Sequence, residues 1–131
     1  MKAEIMLQHV ALECSDKNKA EIFFTKILEI PKVKSFILSG ELSDSIFGKK
    51  SSVEIDVYDN GRARFEVFFS ENSKHSVYEH ICIEVKSKNE LIDRCKNFGI
   101  KPIVIKKEGK DLLFVRDFSD NLYEIKEKQL S

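Results

Sequence analysis

The stretch Leu7-Gln8-His9-Val10-Ala11-Leu12-Glu13-Cys14-Ser15-Asp16-Lys17-Asn18 returns later in the chain as Tyr78-Glu79-His80-Ile81-Cys82-Ile83-Glu84-Val85-Lys86-Ser87-Lys88-Asn89. A shift of 71 positions sets His9 on His80, Glu13 on Glu84, Lys17 on Lys88 and Asn18 on Asn89, and it continues to set Pro31 on Pro102. Each copy opens with a short run of alternating polarity, the period of a half-covered strand. Each then reaches small polar residues that suit a helix N-cap, Ser15-Asp16 in one copy and Ser87 in the other.

Working outward, Ala20, Phe23, Phe24, Ile27 and Leu28 recur at helical spacing until Pro31 stops the run. Ser87 and Glu90 form a capping box, Leu91, Cys95 and Phe98 share one face, and Gly99 stands where a C′ glycine belongs. The remaining apolar runs read as strands at about 7–14, 33–38, 53–58, 63–69, 79–85, 102–106, 111–116 and 121–127. Asn60-Gly61 marks a hairpin between the third and fourth. The polar, glycine-bearing stretch 39–51 reads as a loop. A shift of 58 sets Phe65-Glu66-Val67 on Tyr123-Glu124-Ile125. The expectation is an α+β fold of two β-α-β-β-β modules, about 5–70 and 78–128, in one domain over 1–131, with curved sheets around a metal-binding cavity.

Composition narrows the partners. The chain has 131 residues, 22 basic against 22 acidic, so it carries no excess of cations for displacing nucleic-acid counterions. Hydrophobic residues make up 42%, enough for a core, and no run approaches the roughly 18–20 apolar residues of a membrane span. Glu4, Gln8 and His9 interrupt the place where a signal peptide needs apolar residues. Three widely spaced cysteines, Cys14, Cys82 and Cys95, suit reduced thiols in a cytoplasm better than a disulfide scaffold.

Side-chain parity singles out four residues. Along the strands, His80, Cys82 and Glu84 oppose Ile81, Ile83 and Val85; His9 opposes Val10 and Leu12; Glu66 opposes Phe65 and Val67; Glu124 opposes Tyr123 and Ile125. Each alone is ordinary, a hydrogen-bonded histidine or a solvated glutamate. As a symmetric set of two imidazoles and two carboxylates on the less apolar faces, they suit one divalent transition ion such as Zn, Ni, Co, Fe or Mn. His75, in a polar connection, breaks the pattern and reads as a surface residue. Cys82 shares the face of His80, but no neighbour in sequence activates it as a nucleophile.

The chain resembles the glyoxalase/bleomycin-resistance group, the vicinal oxygen chelate superfamily, over nearly its whole length. Leu7-Gln8-His9-Val10 looks like that family's opening metal strand, Phe23-Phe24-Thr25-Lys26-Ile27-Leu28 like its first-helix signature, and Phe65-Glu66-Val67 like its fourth-strand ligand segment. Tyr78-Glu79-His80-Ile81 is similar to the start of its second module, and Asn121-Leu122-Tyr123-Glu124 to its closing ligand strand. The resemblance implies metal ligands at His9, Glu66, His80 and Glu124, the full set of glyoxalase I. Two departures concern turns: the usual aspartate-proline-aspartate-glycine-asparagine reads Asp117-Phe118-Ser119-Asp120-Asn121, and the first helix ends in Glu29 rather than glycine.

What the resemblance implies for function is a metal-dependent isomerase or lyase of glyoxalase I type. Its proton transfer would run through a metal-stabilised enediolate, with Glu124 or Glu66 as the base. The alternatives are a coenzyme A-thioester epimerase of the methylmalonyl type and a metal-free drug-binding protein like the bleomycin-resistance members. The expected partners are a small-molecule substrate, possibly a thiol adduct or thioester, and a second copy of the chain in a homodimer, with neither nucleic acid nor membrane.

Overall fold

The computed structural model describes residues 7–71 and 78–128; the connection carrying His75 lies outside them. In chain order the elements are β1 (Val10–Cys14), α1 (Lys17–Ile22), β2 (Lys32–Leu38), α2 (Gly40–Phe47), β3 (Val53–Asp59), β4 (Arg64–Phe69), β5 (Ile81–Val85), α3 (Lys88–Asn97), β6 (Ile103–Ile105), β7 (Leu112–Arg116) and β8 (Leu122–Glu127). The fold is α+β, with two β-α-β-β-β modules. β1 to β4 and α2 belong to one compact unit; α1, α3 and β5 to β8 belong to a second.

The two sheets have one topology. The first runs β1-β4-β3-β2 and the second β5-β8-β7-β6, each with its first and last strands parallel and its other pairs antiparallel. The register repeats with the sequence. Val10 lies beside Phe65 and Ala11 beside Glu66; Ile81 lies beside Tyr123 and Cys82 beside Glu124. The shifts of 71 and 58 thus carry one parallel pairing onto the other residue for residue. A one-residue slip in either pair would turn Glu66 or Glu124 to the opposite face.

In the first unit Val67, Phe65, Tyr58, Val57, Ile55 and Cys14 are buried. The segment 39–51, expected as a loop, contains α2. Ser39 caps it, its Oγ accepting from Leu42 N at 3.2 Å, and Gly48 closes it in the left-handed region at φ 72°. Gly40 is required by close approach, since a Cβ there would stand 2.4 Å from the Lys50 carbonyl oxygen. Phe47, at the end of α2, meets Phe68 of β4 edge to face with ring centres 5.4 Å apart.

In the second unit α1 is capped by Asp16, which accepts from Lys19 N at 3.0 Å. It continues into a wider π turn over Phe23–Ile27, closed by Leu28 N donating to Phe23 O at 2.9 Å. Phe23, Phe24 and Ile27 are all buried there, and Phe23 lies 5.0 Å from the Tyr123 ring. Arg94 of α3 binds the end of this segment through Ile27 O at 2.8 Å. The capping box expected at α3 is present in its first half, Ser87 Oγ accepting from Glu90 N at 3.2 Å.

The two turns expected to depart in shape, at Glu29 and Asp120, both have a glycine-like backbone. Glu29 has φ 59° and Asp120 φ 65°. In the second turn the missing rigidity is supplied by Asp117. Its buried carboxylate accepts from Ser119 N, Asn121 N, Asn121 Nδ2 and Tyr123 OH at 2.9 to 3.0 Å.

Candidate metal centre

Each unit brings one of the expected His–Glu pairs together. In the first, His9 stands just before β1 and its Nδ1 lies 3.5 Å from Glu66 Oε2. In the second, His80 stands just before β5 and its Nε2 lies 3.6 Å from Glu124 Oε1. The glutamates match in exposure too, 20% for Glu66 and 22% for Glu124, with the histidines more open. Alternation produces this: Phe65 and Val67, and likewise Tyr123 and Ile125, turn into the cores and leave the glutamates on the opposite faces. Among the described residues no group of three or more His, Cys, Asp or Glu side chains stands close enough to hold an ion, so the observed clusters are the two pairs.

The donor chemistry of each pair fits a divalent cation. Two ligands of one ion at about 2.1 Å stand roughly 3.0–3.4 Å apart for right-angled to tetrahedral arrangements. The observed 3.5 and 3.6 Å are slightly longer, and too long for strong hydrogen bonds. His80 is also held in orientation. Its Nδ1 lies 3.0 Å from Tyr78 O, and a carbonyl only accepts, so Nδ1 is the donor there and Nε2 is the ring nitrogen that faces Glu124. His9 differs, with Nδ1 on both Gln8 Oε1 and Glu66.

The surroundings of the pairs are not alike. Beside Glu66 lie Ala11 and Val57, and beside Glu124 lie Cys82 and Phe114. Cys82 is exposed, while Cys14 and Cys95 are buried. Burial raises the Cys95 thiol to about 11, against a smaller opposing effect of Arg94. Arg64, not singled out by sequence, shares the face of Glu66 and binds Asp59 at 2.8 Å. The Gly61 N–H first, and Arg64 second, hold the Asp59 carboxyl below the usual carboxylate range. The parity that found Glu66 also contained Arg64; what sequence lacked was its partner across the hairpin.

No protein-family model matches the sequence, and a search of curated proteins finds no match. Among solved structures, the fosfomycin resistance protein FosX of Listeria monocytogenes matches with a TM-score of 0.74 at 16% identity, over 98% of this chain and 97% of that one. A glyoxalase family protein of Bacillus cereus matches with 0.76 at 17% identity, over 96% and 95%. FosX of Mesorhizobium loti matches with 0.70 at 13% identity, over 98% and 95%. The Listeria protein has been crystallised with Mn(II) and sulfate and, as a variant, with Mn(II) and 1S,2S-dihydroxypropylphosphonic acid. The repeated modules, the repeated sheet order and these likenesses over nearly the whole chain agree: this protein has the fold of the vicinal oxygen chelate (glyoxalase/bleomycin-resistance) superfamily.

Proposed function

We propose that the chain is a metal-dependent isomerase or lyase of glyoxalase I type, in which His9, Glu66, His80 and Glu124 serve one divalent transition ion. The observation that carries this is the duplication of a loose His–Glu pair at the same register of two parallel strand pairs. A structural histidine needs one hydrogen-bond partner and gives no reason for such a repeat. When bound, a divalent ion supplies Lewis acidity toward adjacent substrate oxygens. The chain's own part is to orient those oxygens and to move the proton, which falls to Glu124 or Glu66. The apolar side chains Val57 and Phe114 beside them weaken competing solvation of the carboxylates.

The test is metal analysis of the purified chain, then an assay with the methylglyoxal–glutathione hemithioacetal. His80→Ala lowers metal affinity sharply with the fold retained; stoichiometric metal kept by a His9→Ala/His80→Ala double variant refutes the ligand set. Glu124→Gln and Glu66→Gln, followed by turnover and by substrate proton exchange with solvent deuterium, identify the base. Wild-type rates in both variants place the base elsewhere.

The likeness to fosfomycin resistance proteins favours a second reading, action on a phosphonate. Fosfomycin as substrate in the same metal-loaded preparation separates the two. A homodimer goes with either reading: β2 and β6 are sheet edges that expose Val33 and Ile37, and Ile103, Val104 and Ile105. Sedimentation showing a monomer at micromolar concentration would count against it. No helix among the described residues is long and apolar enough to cross a membrane.

A further inference from the structure

We infer that Arg64 is an anion-binding residue of the Glu66 face, held in reserve by Asp59, and that the substrate of this site carries a carboxylate or phosphonate oxyanion. The inference rests on the reading of His9 and Glu66 as part of a substrate site. Arg64 opens β4 and lies on the face of Glu66, so their side chains leave the strand about 7 Å apart. His9 immediately precedes Val10 as Arg64 precedes Phe65, the first pair of the parallel ladder, and His9 Nδ1 lies 3.5 Å from Glu66 Oε2. Beside Arg64 and Glu66 on the same face stand Ala11 of β1 and Val57 and Asp59 of β3; the other cation of the face, Lys34 of β2, pairs with Val57 two strands away from Glu66, so Arg64 is the nearer cation to the His9–Glu66 pair.

Its guanidinium is half engaged. Nη1 donates to Asp59 Oδ2 at 2.8 Å, whereas Nε is buried and has no hydrogen-bond partner among the described residues. The Nε edge is one of the guanidinium edges that grip an oxyanion with two parallel bonds. A buried donor without an acceptor is costly, so the resting pose is one that an incoming oxyanion improves. The hairpin does not depend on this contact. Asp59 Oδ1 still accepts from Gly61 N at 2.7 Å, and Asn60 Oδ1 from Arg62 N and Ala63 N at 2.9 and 2.8 Å. Arg64 can therefore leave Asp59 and turn its free edge toward a ligand while the loop stays closed. Nor does the fold require a cation there, because the matching register position in the second unit is Leu122.

The test uses the full chain before and after removal of metal with a chelator. Lactate, methylphosphonate and uncharged 1,2-propanediol are titrated, and binding is read from amide chemical shifts over residues 59–66. We expect an anion to bind the metal-free chain and the diol to leave these shifts unmoved. Arg64→Gln weakens anion binding about tenfold or more, Arg64→Lys recovers part of it, and Asp59→Asn, which removes the internal competitor, tightens it. The tighter of lactate and methylphosphonate names the oxyanion. Wild-type anion affinity in Arg64→Gln, or weakened binding in Asp59→Asn, overturns the proposal; if Arg64→Gln fails to fold, Asp59→Asn decides. Co(II) uptake followed by absorption in parallel reports on the histidines and glutamates alone. Loss of metal binding with Arg64-dependent anion binding intact removes the metal reading and leaves this one standing.

Discussion

Replacing Asp117 by asparagine changes almost no volume and removes one acceptor oxygen, which makes it a clean probe of the turn before β8. Asp117 Oδ1 accepts from Ser119 N and Asn121 N; Oδ2 accepts from Asn121 Nδ2 and Tyr123 OH. An asparagine keeps its carbonyl on the two backbone donors and turns an amide NH2 toward the two side-chain donors. The Tyr123 hydroxyl can rotate to accept, but the Asn121 amide then faces another donor at a buried site. Hydrogen bonds to a charged acceptor contribute about 1.5–3 kcal/mol each, so losing two with one partly recovered costs about 2–4 kcal/mol. For a domain of this size each kcal/mol moves the midpoint about 3–4 °C, which predicts a fall in Tm of about 6–16 °C. Asp117→Ala, which strands the backbone donors as well, should fall further. Calorimetry and urea unfolding at neutral pH read both. A Tm within about 2 °C of wild type for Asp117→Asn, or an alanine variant more stable than the asparagine one, would refute the account of this turn.

Asp120→Gly should stabilise by about 0.5–1 kcal/mol, because a left-handed backbone at φ 65° costs a non-glycine residue more than glycine loses in unfolded entropy; a lower urea midpoint would contradict this. Glu29→Gly gains the same relief but gives up an exposed 3.7 Å pair with Arg94, so its midpoint should stay near wild type. A thiol reagent should titrate one group in the native chain, Cys82, and three after unfolding; Cys82→Ser should show none natively. The raised Cys95 thiol contributes stability that is full below the unfolded thiol value of about 8.5 and is lost as pH climbs toward about 11, so Cys95→Ala should flatten the alkaline limb of the stability curve. At the acid end, the lowered Asp59 carboxyl contributes stability above about pH 3.9 that disappears as pH falls through its folded value, and Asp59→Asn should remove that contribution.

The parts of this molecule that were legible in the sequence are those where two independent periodicities agree. Strand alternation gives the way Glu66 and Glu124 face, and the shifts of 71 and 58, legible as a duplication, return in the structure as one shared register, Ala11–Glu66 and Cys82–Glu124. Neither periodicity speaks about an element present in one half only. α2 has no counterpart among the described residues of the second unit, exposes Leu42 and Ile46, and buries Ser43, so apolar spacing does not mark it although Ser39 and Gly48 are caps visible in the sequence. Which unit receives α1 is equally out of reach, since Phe23, Phe24 and Ile27 fit any apolar surface, whereas in the structure the Tyr123 ring and Arg94 tie the segment to the second unit. The turn residues show the converse. Losing glycine at Glu29 and Asp120 looked like a departure in shape, yet the backbone kept its left-handed conformation at both. At the second, four donors converging on Asp117 hold the turn that glycine would have made easy, and they hold it seven residues ahead of Glu124. The strand that carries Glu124 is therefore set by a buried carboxylate rather than by a glycine turn, and a substitution at Asp117 tests that directly where a substitution at Asp120 cannot.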